Sequence, residues 1–326
     1  MNILLRTFNP HINSKTGAPL PEGKTRGTPE WLRFERILIE SLEVLGHTLT
    51  TQLEHPKVAD HEDVFQHRRI YVHQTKRERP AGNLFWMQMH MRELFTIDTQ
   101  GWGYDHSRRQ EFPPHLINND HARIFCQERS EQLLTSGESK IAQPTETSMT
   151  PSRFILVPIQ IPRDYTIKHH SPITVRYFVD SVQAWAVETE NHVCFKLHPH
   201  NAGDLDIIQA VNHAAEHSRF VHKVEGNIHE LIKRATGLFV INSGIGFESL
   251  IHGKPVATFG NCDYNAATFN ADIRRLDEAR NFLYSYRAEH RELAYKYVWW
   301  YWKELAYDVN AQDTPARLTE YLKGVL

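Results

Sequence analysis

The sequence predicts an α/β protein with two sheet domains and a cleft between them. Apolar strand-like runs alternate with amphipathic segments on both sides of a polar stretch at residues 136–152, SGESKIAQPTETSMTPS. That stretch has no hydrophobic period, so it is interpreted as an interdomain linker or a mobile loop. We expect an N-terminal α/β domain at 1–150, a second at 151–285, and C-terminal helices at 286–326 that pack back across both.

The first series opens with a buried strand, MNILLRTF. Residues Glu30 to Gly46 follow, with apolar side chains at helical spacing and a glycine that suits the helix end. TLTTQL and RIYVHQT are predicted as further strands. Residues 98–120 are rich in Gly, Asp, Asn and Pro, which is typical of a loop.

The second series begins with the apolar strand FILVPIQI at 154–161. Helices are predicted for SPITVRYFVDSVQAWAVE, DLDIIQAVNHAAEH and IHELIKRA, and strands for HVCFKLHP and FVHKV. The series closes with FVINSGIGFESLIHGKPVATFG at 239–260, which is predicted as strand, tight turn, short helix and strand.

Composition argues against several classes of protein. The 326 residues are 40% hydrophobic and carry a formal net charge of -2 without a basic stripe, which argues against nucleic acid as a partner. The three cysteines lie far apart, which fits a reducing cytoplasm. No signal peptide and no apolar run of membrane-spanning length is recognised, so we expect a cytoplasmic protein.

Polar residues follow the predicted strands of the second series. In open α/β sheets, ligands bind outside the carboxyl ends of the strands, so one ligand could contact several of these loops. The residues at these strand ends include Gln160, Asp164, His198, Pro199, Asn242, Ser243 and Gly244.

The turn at Asn242-Ser243-Gly244 has two interpretations. A helix beginning at Gly244 or Ile245 offers unpaired N–H groups and the positive end of its dipole, which together suit an anion. Ser243 adds a hydroxyl donor, and Gly244 and Gly246 would let a phosphate approach the backbone. Alternatively, Asn242 or Ser243 only caps the helix. The spacing is not that of a Walker A motif.

Three blocks carry a resemblance to a known family: VPIQIPRD at 157–164, FKLHP at 195–199 and NSGIGFESLIHGKPVATFG at 242–260. In this order they resemble the capsule polysaccharide biosynthesis family and, within it, the bacterial β-Kdo transferases. The resemblance implies a GT-B-like fold of two Rossmann-like domains, a CMP-Kdo donor, and kinship with sialyltransferases.

The resemblance also implies roles for individual residues. Asp164 corresponds to the catalytic carboxylate and His198 to a contact of the donor phosphate, which Ser243 and Gly244 would hold at the helix start. Glu248 would accept hydrogen bonds from ribose hydroxyls, and Lys196 would add positive charge. The predicted donor-binding residues are Gln160, Lys196, Pro199, Asn242, Ser243, Gly244 and Glu248.

Each of these residues has a plainer alternative. Asp164 could be an ordinary turn or cap residue, and Gln160 could only brace its loop. His198 could be a surface histidine and Glu248 a solvated helix residue, while Lys196 could point away from the cleft.

The implied reaction is transfer of a sugar, Kdo, to a glycan or glycolipid acceptor in surface polysaccharide synthesis. Departure of CMP through an oxocarbenium-like transition state needs a stabilised phosphate and a carboxylate near the anomeric carbon. Asp164 would be the nucleophile of a retaining enzyme, which the resemblance favours, or the base of an inverting one. Beyond the donor we expect no cofactor and no metal, since HExxH and zinc-type spacings are absent.

Other functions stay open at this point. The chain could use a UDP- or GDP-sugar or CMP-sialic acid, or it could bind capsule glycan or assist export without catalysis. The aromatic run LAYKYVWWYWKELAY at 293–307 is either a helix packed on the domains or an interfacial patch. The second alternative would give peripheral contact with the inner membrane and a lipid-linked acceptor.

Overall fold

The computed structural model describes residues 2–7, 28–53, 68–72, 75–77, 82–144, 146–199 and 203–326. The outer ends of two predicted strands, MNILLRTF and RIYVHQT, lie outside these ranges at Met1, Phe8 and residues 73–74.

The described ranges contain the strands and helices of two α/β sheets. The strands are β1 (Asn2–Thr7), β2 (Thr48–Leu53), β3 (Arg68–Val72), β4 (Leu84–Gln88), β5 (Leu94–Asp98), β6 (Ile155–Pro158), β7 (Val193–Lys196), β8 (Val221–Lys223), β9 (Gly237–Val240), β10 (Val256–Thr258), β11 (Phe269–Asn270) and β12 (Tyr307–Asp308). The helices are α1 (Pro29–Val44), α2 (Asn119–Ser136), α3 (Tyr165–His170), α4 (Val175–Glu188), α5 (Leu205–His217), α6 (Ile228–Arg234), α7 (Gly244–Ile251), α8 (Leu276–Tyr284), α9 (Ala288–Trp300) and α10 (Thr314–Val325).

The chain divides into two compact units. Unit 1 comprises Met1–Gln110 and Trp302–Leu326, and unit 2 comprises Glu111–Tyr301. The sequence analysis placed the first boundary at residue 150, but α2 packs against α7 and α9 and therefore belongs to unit 2. Residues 136–152, interpreted above as a linker or a mobile loop, also lie inside unit 2.

Unit 1 is built on a mixed sheet in the order β12-β5-β4-β3-β1-β2. The strands β1 to β4 are parallel where they pair, and β5 runs antiparallel to both of its neighbours. Helix α1 buries Trp31, Phe34, Leu38 and Leu42, whose spacing places them on one face. The ring of Phe34 stacks on that of Phe95 at a centroid distance of 4.5 Å. The C-terminal residues complete this core through β12 and α10.

Unit 2 is built on a parallel sheet in the order β11-β10-β9-β6-β7-β8. Counted within the unit, this is the doubly wound order 3-2-1-4-5-6 of Rossmann folds. The central strands are buried on both faces, which explains why ILVP, VCF and GLFV are continuous apolar runs. The order reverses between β6 and β9, so the carboxyl ends of these two strands form the topological switch point.

These sheets confirm the predicted α/β class with two Rossmann-like domains. Sequence reasoning did not assign β4, β5, α2, α3 or α8. The interfacial interpretation of the aromatic run is wrong, because its aromatic side chains lie mainly in the core. Tyr297, Trp300, Tyr301 and Trp302 are at most 3% exposed.

Candidate functional site

At the switch point of unit 2, two side chains are joined by a pair of reciprocal hydrogen bonds. The Gln160 Nε2 donates to Asn242 Oδ1 at 2.8 Å, and the Asn242 backbone N–H donates to Gln160 Oε1 at 3.0 Å. Both sides of the Gln160 amide therefore bind the same residue. This contact ties the loop after β6 to the loop after β9.

The Asn242 amide also reaches the first turn of α3 and the loop after β10. Its Nδ2 donates to Thr166 O at 2.9 Å and to Asn261 O at 3.3 Å. Asn242 is only 6% exposed, so these contacts lie largely out of water. A single amide thus holds three strand-end loops in register, and Gln160 and Asn242 serve as braces.

Asp164 follows β6 on the same side of unit 2 as the switch point, and it is the N-cap residue of α3. Its Oδ1 accepts from the Thr166 N–H at 2.9 Å and from Thr166 Oγ1 at 3.0 Å. Its own N–H closes the preceding turn on Ile161 O at 3.0 Å. Among the residues that the structure describes, both side-chain bonds fall on Oδ1. The capping alternative therefore accounts for Oδ1 alone. The other carboxylate oxygen, Oδ2, of this exposed residue stays available for chemistry. We call Gln160, Asp164, Thr166 and Asn242 the strand-end cluster.

Ser243 caps α7, and Gly244 is the first residue of that helix. The Ser243 Oγ accepts from the Ile245 N–H at 3.3 Å, and its carbonyl accepts from the Tyr264 hydroxyl. Gly246 does not leave an open approach for phosphate, contrary to the sequence analysis. A Cβ there would lie 2.5 Å from the Tyr264 hydroxyl, so Gly246 is required for packing of this ring.

The end of β7 and the loop after it carry three predicted residues. His198 is half-buried and Pro199 is exposed. The Ile159 N–H donates to Lys196 O at 2.9 Å, which holds the ends of β6 and β7 together. The Lys196 side chain is 8% exposed and burial lowers its pKa, while the charge of Glu225 opposes that shift. The charge of Lys196 therefore interacts with that of Glu225 in the loop after β8.

Glu248 is not the solvated helix residue of the plainer alternative, because it is only 3% exposed. Its carboxylate accepts hydrogen bonds from Ser139 Oγ at 3.0 and 3.2 Å. Burial raises the pKa of Glu248 to about 7, with Ser139 and the charge of Lys140 opposing the shift. The residues that bind Glu248 thus come from the polar segment after α2, where the sequence shows no motif.

A buried chain of hydrogen bonds continues from this carboxylate. His229 Nε2 lies 3.6 Å from Glu248 Oε2 and 2.7 Å from the Glu138 carbonyl oxygen. His229 Nδ1 lies 2.9 Å from His252 Nε2, and His252 Nδ1 lies 2.7 Å from Ser130 Oγ. We call Ser130, His252, His229, Glu248 and Ser139 the histidine chain.

The direction of the histidine chain follows from the Glu138 carbonyl, which can only accept. His229 therefore carries its proton on Nε2 and accepts at Nδ1, so His252 donates from Nε2. The hydroxyl of Ser130 then donates to His252 Nδ1. Both rings are neutral in this arrangement, and burial accordingly lowers the pKa of His229 and that of His252, the latter to about 3.

The described residues lack two features, a metal-binding cluster and a membrane-spanning helix. In those ranges, no group of three or more His, Cys, Asp or Glu side chains is placed to hold a metal ion. No described helix is long and apolar enough to span a bilayer.

Comparison with known proteins gives one family match. A family model described as "Capsule polysaccharide biosynthesis protein" matches residues 115–298, which is more than half of the chain. The matched region lies within unit 2 and contains the three blocks noted in the sequence analysis.

Two curated proteins match part of the chain. Protein FixF of Sinorhizobium fredii (strain NBRC 101917 / NGR234) is 33% identical over 114 residues, covering 34% of this chain and 27% of FixF. Capsule polysaccharide export protein KpsS of Escherichia coli is 26% identical over 181 residues, covering 51% of this chain and 45% of KpsS. The chain thus spans less than half the length of the curated relatives it matches.

A solved structure matches over most of the chain. KpsC of Thermosulfurimonas dismutans, a β-Kdo 2,7 transferase, superposes with a TM-score of 0.52 at 18% identity, covering 91% of this chain and 90% of that chain. The two proteins therefore share a fold.

Proposed function

The chain belongs to the capsule polysaccharide biosynthesis protein family, and on that premise we propose that it is a glycosyltransferase of surface polysaccharide synthesis. Its donor is a CMP-activated sugar, Kdo, and its acceptor is a glycan or glycolipid. One observation carries the proposal: Asp164 stands beside the switch point of unit 2 with one carboxylate oxygen fixed by Thr166 and the other available.

The donor phosphate would lie between the loop after β7 and the start of α7. The N–H groups at the start of a helix favour an anion, and Ser243 and Gly244 stand at that position. His198 would donate to the phosphate from the neighbouring strand end, with Pro199 shaping its loop. These groups stabilise the negative charge that CMP gains as it departs.

Catalysis would proceed with retention through two displacements. The Asp164 carboxylate attacks the anomeric carbon, the bond from that carbon to the phosphate oxygen breaks, and CMP leaves with both electrons. The acceptor hydroxyl then attacks the same carbon and its proton passes to water, while the bond from that carbon to the Asp164 oxygen breaks and releases the carboxylate. Gln160 and Asn242 position α3 and its cap. We assign Glu248 to positioning the segment after α2, because Ser139 already binds both of its oxygens.

Thermal unfolding with nucleotides tests the donor class. CMP at about 100 times its dissociation constant should add about 2.7 kcal/mol to the free energy of unfolding. UDP and GDP at the same concentration serve as controls. A shift with UDP or GDP and none with CMP would contradict the donor assignment. A CMP shift without transfer from CMP-Kdo to any acceptor would instead favour a protein that binds or exports capsule glycan, as the name of KpsS suggests for that relative.

A further inference from the structure

The segment after β10 carries a buried tyrosine that contacts the turn between β9 and α7. The Tyr264 hydroxyl donates a hydrogen bond to Ser243 O, and Tyr264 is 0% exposed. Its ring packs so close to Gly246 that a Cβ there would lie 2.5 Å from the hydroxyl oxygen. The first turn of α7 is therefore both packed against this ring and hydrogen-bonded to its hydroxyl.

Two helices fix the position of this tyrosine. The Asn261 N–H donates to His170 O at 2.8 Å, which ties the segment after β10 to α3. The Tyr297 hydroxyl donates to Asp263 O at 2.7 Å, which ties the same segment to α9. The tyrosine hydroxyl therefore reaches Ser243 from a segment that is itself anchored on both sides.

Ser243 binds two of the N–H groups at the start of α7. Its Oγ accepts from the Ile245 N–H at 3.3 Å, and its carbonyl accepts from the Gly246 N–H at 2.9 Å. Among the residues that the structure describes, the Gly244 N–H has no acceptor. The Ser243 Oγ accepts with a lone pair, so its own proton can still be donated. Two donors therefore remain for a ligand, the Gly244 N–H and the Ser243 hydroxyl.

The direction of the Gly244 N–H follows from the carbonyl that Tyr264 binds. The Ser243 C=O and the Gly244 N–H belong to one trans peptide group, which is planar, so the two bonds point in opposite directions. Because the carbonyl points towards the buried Tyr264, the N–H points away from it. Gly244 and Ile245 are partly exposed, whereas Gly246 is buried. The tyrosine hydroxyl thus holds the remaining N–H on the accessible side of the helix start.

We propose that Tyr264 is a positioning residue for the donor phosphate and that it acts through the peptide between Ser243 and Gly244. This inference rests on the proposed function and deepens it, because it names the two donors that the start of α7 offers to the phosphate. Without the tyrosine hydroxyl, the Ser243 carbonyl loses the hydrogen bond that holds it on the buried side. The Gly244 N–H then loses its alignment with a phosphate oxygen, whereas contacts to the nucleoside stay as they are.

Equilibrium binding tests the inference, with CMP and cytidine as the two ligands, because only CMP carries the phosphate. Tyr264→Phe removes the hydroxyl and keeps the ring that packs on Gly246. CMP binding should weaken about 3- to 10-fold, as for the loss of one hydrogen bond, and cytidine binding should stay within about twofold. The control is Tyr284→Phe, since the Tyr284 hydroxyl donates to Asn191 Oδ1 at 3.2 Å before β7, at the opposite edge of the sheet. This control should change neither affinity by more than about twofold.

Amide NMR provides a second measurement that a merely structural tyrosine would not change. In protein with isotope-labelled glycine, the Gly244 signal is identified by its loss in Gly244→Ala. A hydrogen bond to phosphate should move the Gly244 amide proton downfield when CMP is added, whereas cytidine should leave it in place. In Tyr264→Phe the downfield shift with CMP should be smaller.

The outcomes distinguish this inference from the proposed function. If CMP binds and Tyr264→Phe lowers its affinity no more than that of cytidine, Tyr264 has no role at the phosphate. If Tyr264→Phe does not fold, a Gly244 signal that CMP leaves unmoved in unsubstituted protein would overturn the inference instead. Failure of unsubstituted protein to bind CMP would refute the proposed function, and the inference with it.

Discussion

The strand-end cluster and the histidine chain both fix a carboxylate in unit 2, but by different chemistry. Neutral amides hold the first cluster, and amides have no proton equilibrium in the ordinary pH range. The histidine chain depends on two neutral imidazoles, each of which must donate at one nitrogen and accept at the other. The position of Asp164 should therefore be insensitive to pH, whereas that of Glu248 and Ser139 should depend on it.

The largest expected effect comes from removing the charge of Asp164 while its cap is kept. Asparagine caps helices about as well as aspartate, so Asp164→Asn should fold normally and bind CMP. Sugar transfer should fall by about four orders of magnitude, as expected when a group central to a catalytic constellation is lost. Turnover of CMP-Kdo measures this, and mass spectrometry of unsubstituted protein exposed to donor should show a sugar adduct on Asp164.

A second capping aspartate provides the matched control. Asp272 accepts from the Arg274 N–H at 2.9 Å and also pairs with the Arg274 guanidinium, so Asp272→Asn removes the charge of a capping aspartate outside the strand-end cluster. Full transfer activity in Asp164→Asn would remove this residue from the chemistry and leave only the cap. An inverted product without an adduct would change its role to general base.

His198→Ala extends the test from the strand-end cluster to the neighbouring loop. Loss of one donor to a departing oxyanion typically lowers turnover by about 100- to 1000-fold. The free energy of unfolding should change little, because the residue is only half-buried in a loop. Kinetics of transfer and a thermal melt measure the two effects. Turnover close to that of unsubstituted protein would show that His198 is an ordinary surface histidine without a role in transfer.

Asn242→Ala should break the strand-end cluster itself. It removes three side-chain hydrogen bonds, each with a net contribution of about 0.5–1.5 kcal/mol, and one of them is the bond that Asn242 Oδ1 accepts from Gln160 Nε2. We expect a loss of about 2–3 kcal/mol in denaturant unfolding, together with slower transfer. Asn118→Ala removes only the cap of α2 and should cost about 1 kcal/mol with normal transfer. Equal losses in the two variants would contradict the bracing role.

The last expected effect concerns the histidine chain and the dependence of stability on pH. The folded pKa values of His229 and His252 lie below the usual 6.5, so their contribution to stability is present above pH 6.5. It is lost as the pH falls from 6.5 towards the folded values, of which that of His252 is about 3. Each histidine should contribute a slope of about 1.4 kcal/mol per pH unit.

Denaturant unfolding between pH 7 and pH 4 measures that slope. His252→Gln should flatten it, whereas His121→Gln, on the exposed face of α2, should leave it unchanged. The raised pKa of Glu248 acts with the opposite sign over an overlapping range, since its burial lowers stability as the pH rises from 4.5 to about 7. An unaltered slope in His252→Gln would show that the rings are not neutral partners in the fold.

Some helices and strands could be predicted from the sequence and others could not, for physical reasons. Helix α1 places large apolar residues on one face, so its period is plain. Helix α2 buries Ala122, Cys126, Ser130 and Leu133, and these mostly small or polar side chains give no hydrophobic period. The aromatic run at 293–307 left two alternatives open, because neighbouring aromatics suit a protein core as well as a membrane interface, and the burial of most of them supports the packed helix.

By itself, the sequence determined most of the strand-helix alternation from β6 to β10, the turn at Ser243 and Gly244, and the family through its three ordered blocks. Those features are local, since hydrophobic period, capping residues and motif spacing are written along the chain. Only the tertiary structure decided that Gln160 and Asn242 brace each other, and that Ser139 binds Glu248. Contacts between segments up to about a hundred residues apart depend on strand order and packing, which no local pattern encodes.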